Sequence, residues 1–272
     1  MTYDQARNLL LNCSFSDYSG IMRLPLLLVS LLLASSSASA LVINTVTLDE
    51  PVGNPAVYDQ ISVVTVETGD EGAQFQSNWL LDAATFGGTV DLAATALWTI
   101  EAFTANALVL SVDISNDTIA PTNDPDFNAA ILSFGFGTNP DTNASLIDAG
   151  STFDVVGEGS GKKQNFPGGF KGIDVCIFAQ GCSGGSINDG LNIGESDFLT
   201  ISLTPDVGSF GSSVDLSIFA VKFQGTQGSY EFVSAPNHTT PVPGPAAATL
   251  FCLGVVTFLL GIGRRRGAGI AG

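Results

Sequence analysis

From Leu41 to Phe232 the chain is built of short runs in which apolar and polar residues alternate, with few stretches of helix length that keep a helical period. The alternation is cleanest in Phe198-Leu199-Thr200-Ile201-Ser202-Leu203 and in Val214-Asp215-Leu216-Ser217-Ile218-Phe219-Ala220-Val221-Lys222-Phe223. Period two gives a strand one face to bury and one to solvate. Ile61 to Glu67 and Leu108 to Ile114 alternate in part and are rich in branched residues that suit a pleated surface. Further strands are expected at 43–48, 74–80, 89–103, 129–136, 151–156, 172–178 and 229–233, and short helical turns at 80–85 and 141–149. Turn-forming clusters separate them: Phe86-Gly87-Gly88, Ser115-Asn116-Asp117, Thr138-Asn139-Pro140-Asp141, Pro167-Gly168-Gly169 and Gly184-Gly185. Many short strands without intervening helices predict an all-β domain, a single antiparallel β-sandwich for which a jelly-roll order is one option.

Both ends break this pattern. Met22-Arg23 precedes an apolar stretch from Leu24 to Leu33 and then Ser35-Ser36-Ser37-Ala38-Ser39-Ala40. A basic start, a short apolar core and an Ala-x-Ala site have the organisation of a secretory signal peptide, with cleavage between Ala40 and Leu41. Residues 1–21 carry Asp4 and Asp17 and read as a misassigned upstream extension, with Met22 the initiator. At the other end, Val242-Pro243-Gly244-Pro245 leads into an uncharged apolar run from Ala246 to Ile262, followed by Arg264-Arg265-Arg266. At ~1.5 Å per residue that run spans about 25 Å, the short end of a bilayer crossing. The arginines keep the far end cytoplasmic, so all that precedes Pro243 lies outside. The expected organisation is therefore extension 1–21, signal peptide 22–40, β-sandwich 41–235, linker 236–241 and C-terminal segment 242–272.

The C-terminal arrangement resembles the PEP-CTERM sorting signal of Gram-negative bacteria, in which a Pro-Glu-Pro motif, a transmembrane helix and an arginine-rich end are read by an exosortase. Here Gly244 stands in the Glu position, while Val242, Pro243, Pro245 and Arg264 to Arg266 fit the pattern. A second resemblance covers Phe170 to Phe232. Ile173-Asp174-Val175-Cys176, Cys182-Ser183-Gly184-Gly185, Leu191 to Phe198, Val221 to Thr226 and Gly228 to Phe232 look like the cysteine-paired "cistern" branch of PEP-CTERM proteins. These resemblances imply export through the Sec translocon, signal-peptidase cleavage and a precursor held in the inner membrane by its C-terminal helix. They also imply processing by an exosortase-like transpeptidase and residence at the cell surface or in the matrix of bacteria that build exopolysaccharide. They imply no catalytic residues.

Charge narrows the partners. Of the 26 acidic residues only Asp4 and Asp17 lie outside 41–240, where the basic residues are Lys162, Lys163, Lys171 and Lys222 alone, leaving that region at −20. A phosphate backbone would be repelled, which excludes nucleic acid. Divalent cations are the sharper reading of so much charge. The turn-rich stretch 115–128 offers Asp117, Asp124, Asp126 and Asn128 as weak Ca²⁺ candidates, although Asp124-x-Asp126-x-Asn128 lacks the glycine and the bidentate Glu of an EF-hand loop. A solvated loop is the plainer expectation, and no cofactor is assigned.

Two cysteines, Cys176 and Cys182, fall inside the exported domain and are expected to form a disulfide closing a short loop. A zinc site would need two further ligands, and a redox pair usually has tighter spacing. The single histidine, His238, sits in the linker, which argues against triad and paired-histidine chemistry. Glu67, Glu71, Glu101, Glu158 and Glu195 remain as carboxylates for glycoside hydrolysis, with Glu195-Ser196-Asp197 the best local constellation. The expectation is a non-catalytic surface or matrix protein associated with exopolysaccharide. The alternatives are a polysaccharide-active hydrolase with paired carboxylates and a Ca²⁺-dependent adhesin.

Overall fold

The computed structural model describes residues 41–157, 166–234 and 240–242. The expected extension, signal peptide and C-terminal helix with its arginines lie outside the described residues, as do Glu158 and His238. The described chain is all-β. Its strands are β1 (Val42–Val52), β2 (Tyr58–Glu67), β3 (Gln74–Leu81), β4 (Leu92–Thr104), β5 (Ala107–Asn116), β6 (Ala129–Asn139), β7 (Thr142–Asp148), β8 (Val155–Gly157), β9 (Val175–Phe178), β10 (Ser196–Pro205), β11 (Ser213–Gly225), β12 (Gly228–Val233) and β13 (Thr240–Val242). The short helix α1 (Ala83–Phe86) falls close to the expected 80–85 turn, with the Asp82 carboxylate accepting from the Ala84 amide at its start.

Two antiparallel sheets pack face to face. One runs β1-β2-β11-β6-β9-β8, with β12 also paired to β11; the other runs β13-β3-β4-β5-β10-β7. Alternation decides which side chains meet between them. Leu92, Ala94, Ala96, Trp98 and Ile100 of β4 point inward, as do Leu199, Ile201 and Leu203 of β10 and Val214, Leu216, Phe219, Val221 and Phe223 of β11. Trp98 is the pivot. Its ring lies 5.4 Å from Phe136, 5.5 Å from Phe219 and 6.1 Å from Phe134 on the facing sheet, and 5.8 Å from Phe75 beside it. Such large rings carry much of the burial, and the indole N–H donates to Ser77 Oγ at 3.1 Å, so no polar group is stranded.

Strand β11 changes partner half-way along. Ser213–Ser217 pair with β2 and Ala220–Gly225 with β12, and the register against β6 shifts between Ser217 and Ala220. Ile218, at φ 53, absorbs the extra residue of this bulge. The Phe219 carbonyl thereby turns to accept from Trp79 Nε1 and the Ser234 amide, each at 2.9 Å.

The outer face of the seven-stranded sheet is sealed as well. Phe166, Phe170 and Ile173 lie over Ile61, Ala220, Val233 and Cys176 and form a second apolar cluster. The covering chain comes so close that a Cβ on Gly137 would sit 2.1 Å from the Gly172 carbonyl oxygen, while one on Gly135 would sit 2.4 Å from the Val175 carbonyl oxygen of the neighbouring strand β9. Cys176 and Cys182 form a disulfide as expected, tying the loop after β9 to this sheet.

Two segments differ from expectation. Residues 142–148 form strand β7 against β10 rather than a helical turn. Inward Ala144 and Leu146 alternate with outward Asn143, Ser145 and Ile147, a period hidden by the small residues among them. Thr240 and Pro241, placed in a linker by sequence, continue with Val242 as β13 on the edge of β3, where a proline is tolerated.

Trp98→Ala is expected to cost about 3–5 kcal/mol, because it opens a void between both sheets, whereas Leu80→Ala on the exposed face should stay within about 0.5 kcal/mol. Urea unfolding of the two variants measures the difference. Reduction of Cys176–Cys182, whose sequence separation is 6, should lower stability by about 2 kcal/mol while the far-UV spectrum of the folded protein stays unchanged.

Candidate functional site

Among the described residues the six-stranded sheet has no such cover over its central strands. Where the seven-stranded sheet is roofed by chain, the outward residues of β3, β4, β5 and β10 meet solvent, and they are chiefly amides and hydroxyls. The register lines them into rows that cross the strands. One row runs Gln76, Leu97, Asp113, Phe198; the next runs Asn78, Thr95, Ser115, Ser196; a third runs Gln74, Thr99, Ser111, Thr200. At a strand spacing of about 4.8 Å, four strands make a row about 14 Å long. Between the first two rows lies a groove of about 330 Å³, lined by Gln76, Thr95, Leu97, Asp113, Ser115 and Ser196. Phe198, directly opposite Asp113, flanks it and is 57% exposed.

Hydrogen bonds set what these groups offer. Asp117 accepts from Ser115 Oγ at 2.8 Å and from Thr95 Oγ1, so both hydroxyl protons turn toward its carboxylate and the oxygen lone pairs remain for a ligand. Gln76 Nε2 donates to Asn78 Oδ1 at 2.8 Å, which fixes its amide plane and leaves its carbonyl oxygen available. Asp113 is exposed and receives no hydrogen bond from any described residue. The groove is thus rich in acceptors, and Asp113 is the single carboxylate among its lining residues. Glu101, on the same face, accepts from Ser111 Oγ at 2.6 Å.

The sequence-derived candidates disperse. Asp117 serves the groove hydroxyls, Asp124 and Asp126 lie exposed on the following loop, and the Asn128 carbonyl accepts from the Thr226 amide at 2.9 Å. Among the described residues no group of three or more His, Cys, Asp or Glu is placed to hold a metal ion. Asn116, in the turn-rich stretch 115–128, is fully buried. Its side-chain amide donates to the carbonyls of Ala129 and Leu191, both at 2.9 Å, and so staples β5 to the start of β6. Leu41 is buried in the main cluster, one residue before β1. Val242 ends β13; Pro243, Gly244, Pro245, Arg264, Arg265, Arg266 and Ala40 lie outside the described residues.

Glu195 and Asp197 point apart. The Glu195 carboxylate accepts from the Asn192 amide and side chain at 3.0 and 3.1 Å. Asp197, at an inward position of β10 and 6% exposed, accepts from the amides of Ser151, Thr152 and Phe153 at 2.7 to 2.9 Å and from Ser151 Oγ at 2.9 Å. Burial pushes its pKa up, but the amide donors of Phe153, Thr152 and Ser151 together outweigh burial and hold the carboxyl below its ordinary value.

Sequence reasoning gave no sign of a buried cation. Lys222 Nζ is 2.5 Å from Glu231 Oε1 and 2.6 Å from Ser229 Oγ, beneath the loop at Gly168. Paired in this way, lysine and glutamate can lie under chain without an uncompensated charge. The only signal was a lysine directly after the apolar run Ile218-Phe219-Ala220-Val221.

No protein-family model, curated protein or solved structure matches the chain.

Asp197→Asn should cost about 1–3 kcal/mol, since its amide nitrogen would face donors that now meet a carboxylate. The sign of the pH dependence follows from the lowered pKa. The stabilisation is fully present above the ordinary carboxylate value and is lost as pH falls through the lower native one. Unfolding titrations of both proteins between neutral and strongly acidic pH should show their stabilities converging at the acid end.

Proposed function

We propose that this chain is an exported bacterial surface or matrix protein, sorted by an exosortase-like system, whose β-sandwich associates with exopolysaccharide without catalysing a reaction. The PEP-CTERM-like ends supply the sorting half of this reading: a signal peptide at 22–40 and a segment from Val242 carrying the Pro-Gly-Pro motif, the apolar run and the arginines. The precursor is then held in the inner membrane of a Gram-negative cell until the C-terminal helix is removed.

The observation that carries the binding half is the contrast between the two sheets, one roofed by chain and the other left open with a groove of amides and hydroxyls. Asp113 lines that groove with its carboxylate free, while the neighbouring Asp117 and Glu101 accept from Ser115, Thr95 and Ser111, which favours binding over hydrolysis by two carboxyl groups about 5–10 Å apart. Glu195 and Asp197, the best sequence constellation for catalysis, spend their oxygens on local backbone and side-chain donors. The strand orders β2-β11-β6-β9 and β5-β10-β7 also read as a jelly roll to which β3 and β4 add a meander. That architecture is shared by lectin domains, an analogy of fold alone.

The surface form is expected to begin at Leu41 and to end near Pro243. Intact mass of protein recovered from the outside of the producing cells measures both ends. A surface species that retains Arg264 to Arg266 overturns the sorting half.

A further inference from the structure

We propose that the groove between β3, β4, β5 and β10 is a binding site for an uncharged polysaccharide, with Phe198 as the stacking platform and Asp113 as the main acceptor. This rests on the exopolysaccharide reading above and gives it a site and a ligand class.

The ligand class follows from what the groove lacks. Its fixed groups accept hydrogen bonds: the Asp113 carboxylate, the Gln76 carbonyl, and the Thr95 and Ser115 oxygens whose protons are committed to Asp117. A complementary ligand must bring many donors, and sugar hydroxyls do so at the spacing of adjacent ring carbons, where one carboxylate can accept from two neighbours. An anionic polymer is refused. Asp113, Asp117 and Glu101 share this face, and the described lysines, Lys171 and Lys222, lie elsewhere, the latter buried under Glu231. Uronate or sulfated chains would thus meet repulsion without a compensating cation among the described residues. A polycation would adhere anywhere on a domain of this charge and needs no groove.

Phe198 supplies what hydrogen bonds cannot. A pyranose ring is amphipathic, with C–H groups on its faces and hydroxyls at its rim, so it can lie on an aromatic face while its edge meets polar groups. Phe198 sits in register with Asp113 and Leu97, an aromatic, a carboxylate and an apolar side chain side by side on three adjacent strands. A large aromatic that is 57% exposed contributes little to the core, and its place beside the groove gives it a ligand-facing role. A shallow groove of about 330 Å³ is at the small end of ligand clefts, which suits a chain lying across the rows rather than an enclosed sugar.

The test uses the exported protein purified from the cells that make it, with affinity electrophoresis in gels holding an uncharged glucan, an uncharged galactomannan or alginate. Retardation is expected in at least one uncharged glycan and not in alginate, and it should change less than about twofold between low and high salt. Phe198→Ala and Asp113→Asn should each weaken it by about tenfold or more, with thermal midpoints unchanged, while Val207→Ala, on a remote exposed loop, leaves it intact. Retardation by uncharged glycan that survives both groove substitutions overturns the site but not the exopolysaccharide reading. Stronger retardation in alginate overturns the ligand class. Retardation in none of the gels overturns the site and the binding half of the functional reading together.

Discussion

Strand β6 is buried on both faces, and most of the architecture follows from that constraint. A central strand with no wet side must present apolar residues inward and something that tolerates a roof outward. Phe134-Gly135-Phe136-Gly137 does both: the phenylalanines enter the aromatic cluster around Trp98, Gly137 lets the covering chain at Gly172 approach within contact of the backbone, and Gly135 leaves room for the Val175 carbonyl of β9. Roofing the sheet then requires a long irregular segment. That segment is held by its own phenylalanines at 166 and 170, by the Cys176–Cys182 disulfide and by backbone bonds such as Gly53 to Gly168 at 2.8 Å. Lys222 and Glu231 are buried by the same roof, and each is the other's counter-charge.

Once one sheet is closed, the other is free. Its inward residues complete the core, while its outward residues answer to no packing demand over the central strands. The carboxylates divide along the same line. Those drawn inward, Asp197 and Asp174, are met by backbone amides of Phe153 and Thr138 among others; those left outside, such as Asp124 and Asp126, sit on loops. Burial of a carboxylate is tolerable where several N–H donors converge on it, and the tight run at 150–153 supplies them. A Cβ on Gly150 would sit 2.1 Å from Asp197 Oδ2, so the approach of that loop to the carboxylate depends on glycine.

The legible part of this fold was the part ruled by period two. Strands β10 and β11 were readable because Leu199, Ile201, Leu203 and Val214, Leu216 each skip one polar residue. Strand β7 was misread because Asn143-Ala144-Ser145 offers alternation in size rather than polarity. The disulfide followed from two cysteines close together in an exported domain. The roof could not be read, since residues 166–173 have no period and their partners lie on β2, β11 and β12, far away in sequence. Asp117 was visible as one acid in an acidic stretch, but its partner Thr95 is on another strand and becomes its neighbour only through the β4–β5 register. The groove was illegible for the same reason: its six lining residues come from four strands, and each alone, five polar and Leu97 apolar, is an ordinary outward position.

The composition of the open face separates solubility from recognition. A face that had only to remain wet in a domain of 24 acidic residues could carry carboxylates at most outward positions, as the flanking loops do. The outward positions of β3, β4 and β10 instead hold Gln74, Gln76, Asn78, Thr95, Thr99, Ser196, Thr200 and Ser202, and two of these hydroxyls are tethered: Thr95 donates to Asp117 and Thr99 accepts from Gln74. Tethering has an entropic cost that solubility does not require, and it is of use where a ligand must find its acceptors already oriented. Within the groove lining the carboxylate is Asp113, in register with the exposed ring of Phe198. Neutral hydrogen-bonding groups, one free carboxylate and one bare aromatic side by side form a surface matched to a sugar ring, whereas solvation alone would be served better by replacing that aromatic with any polar residue.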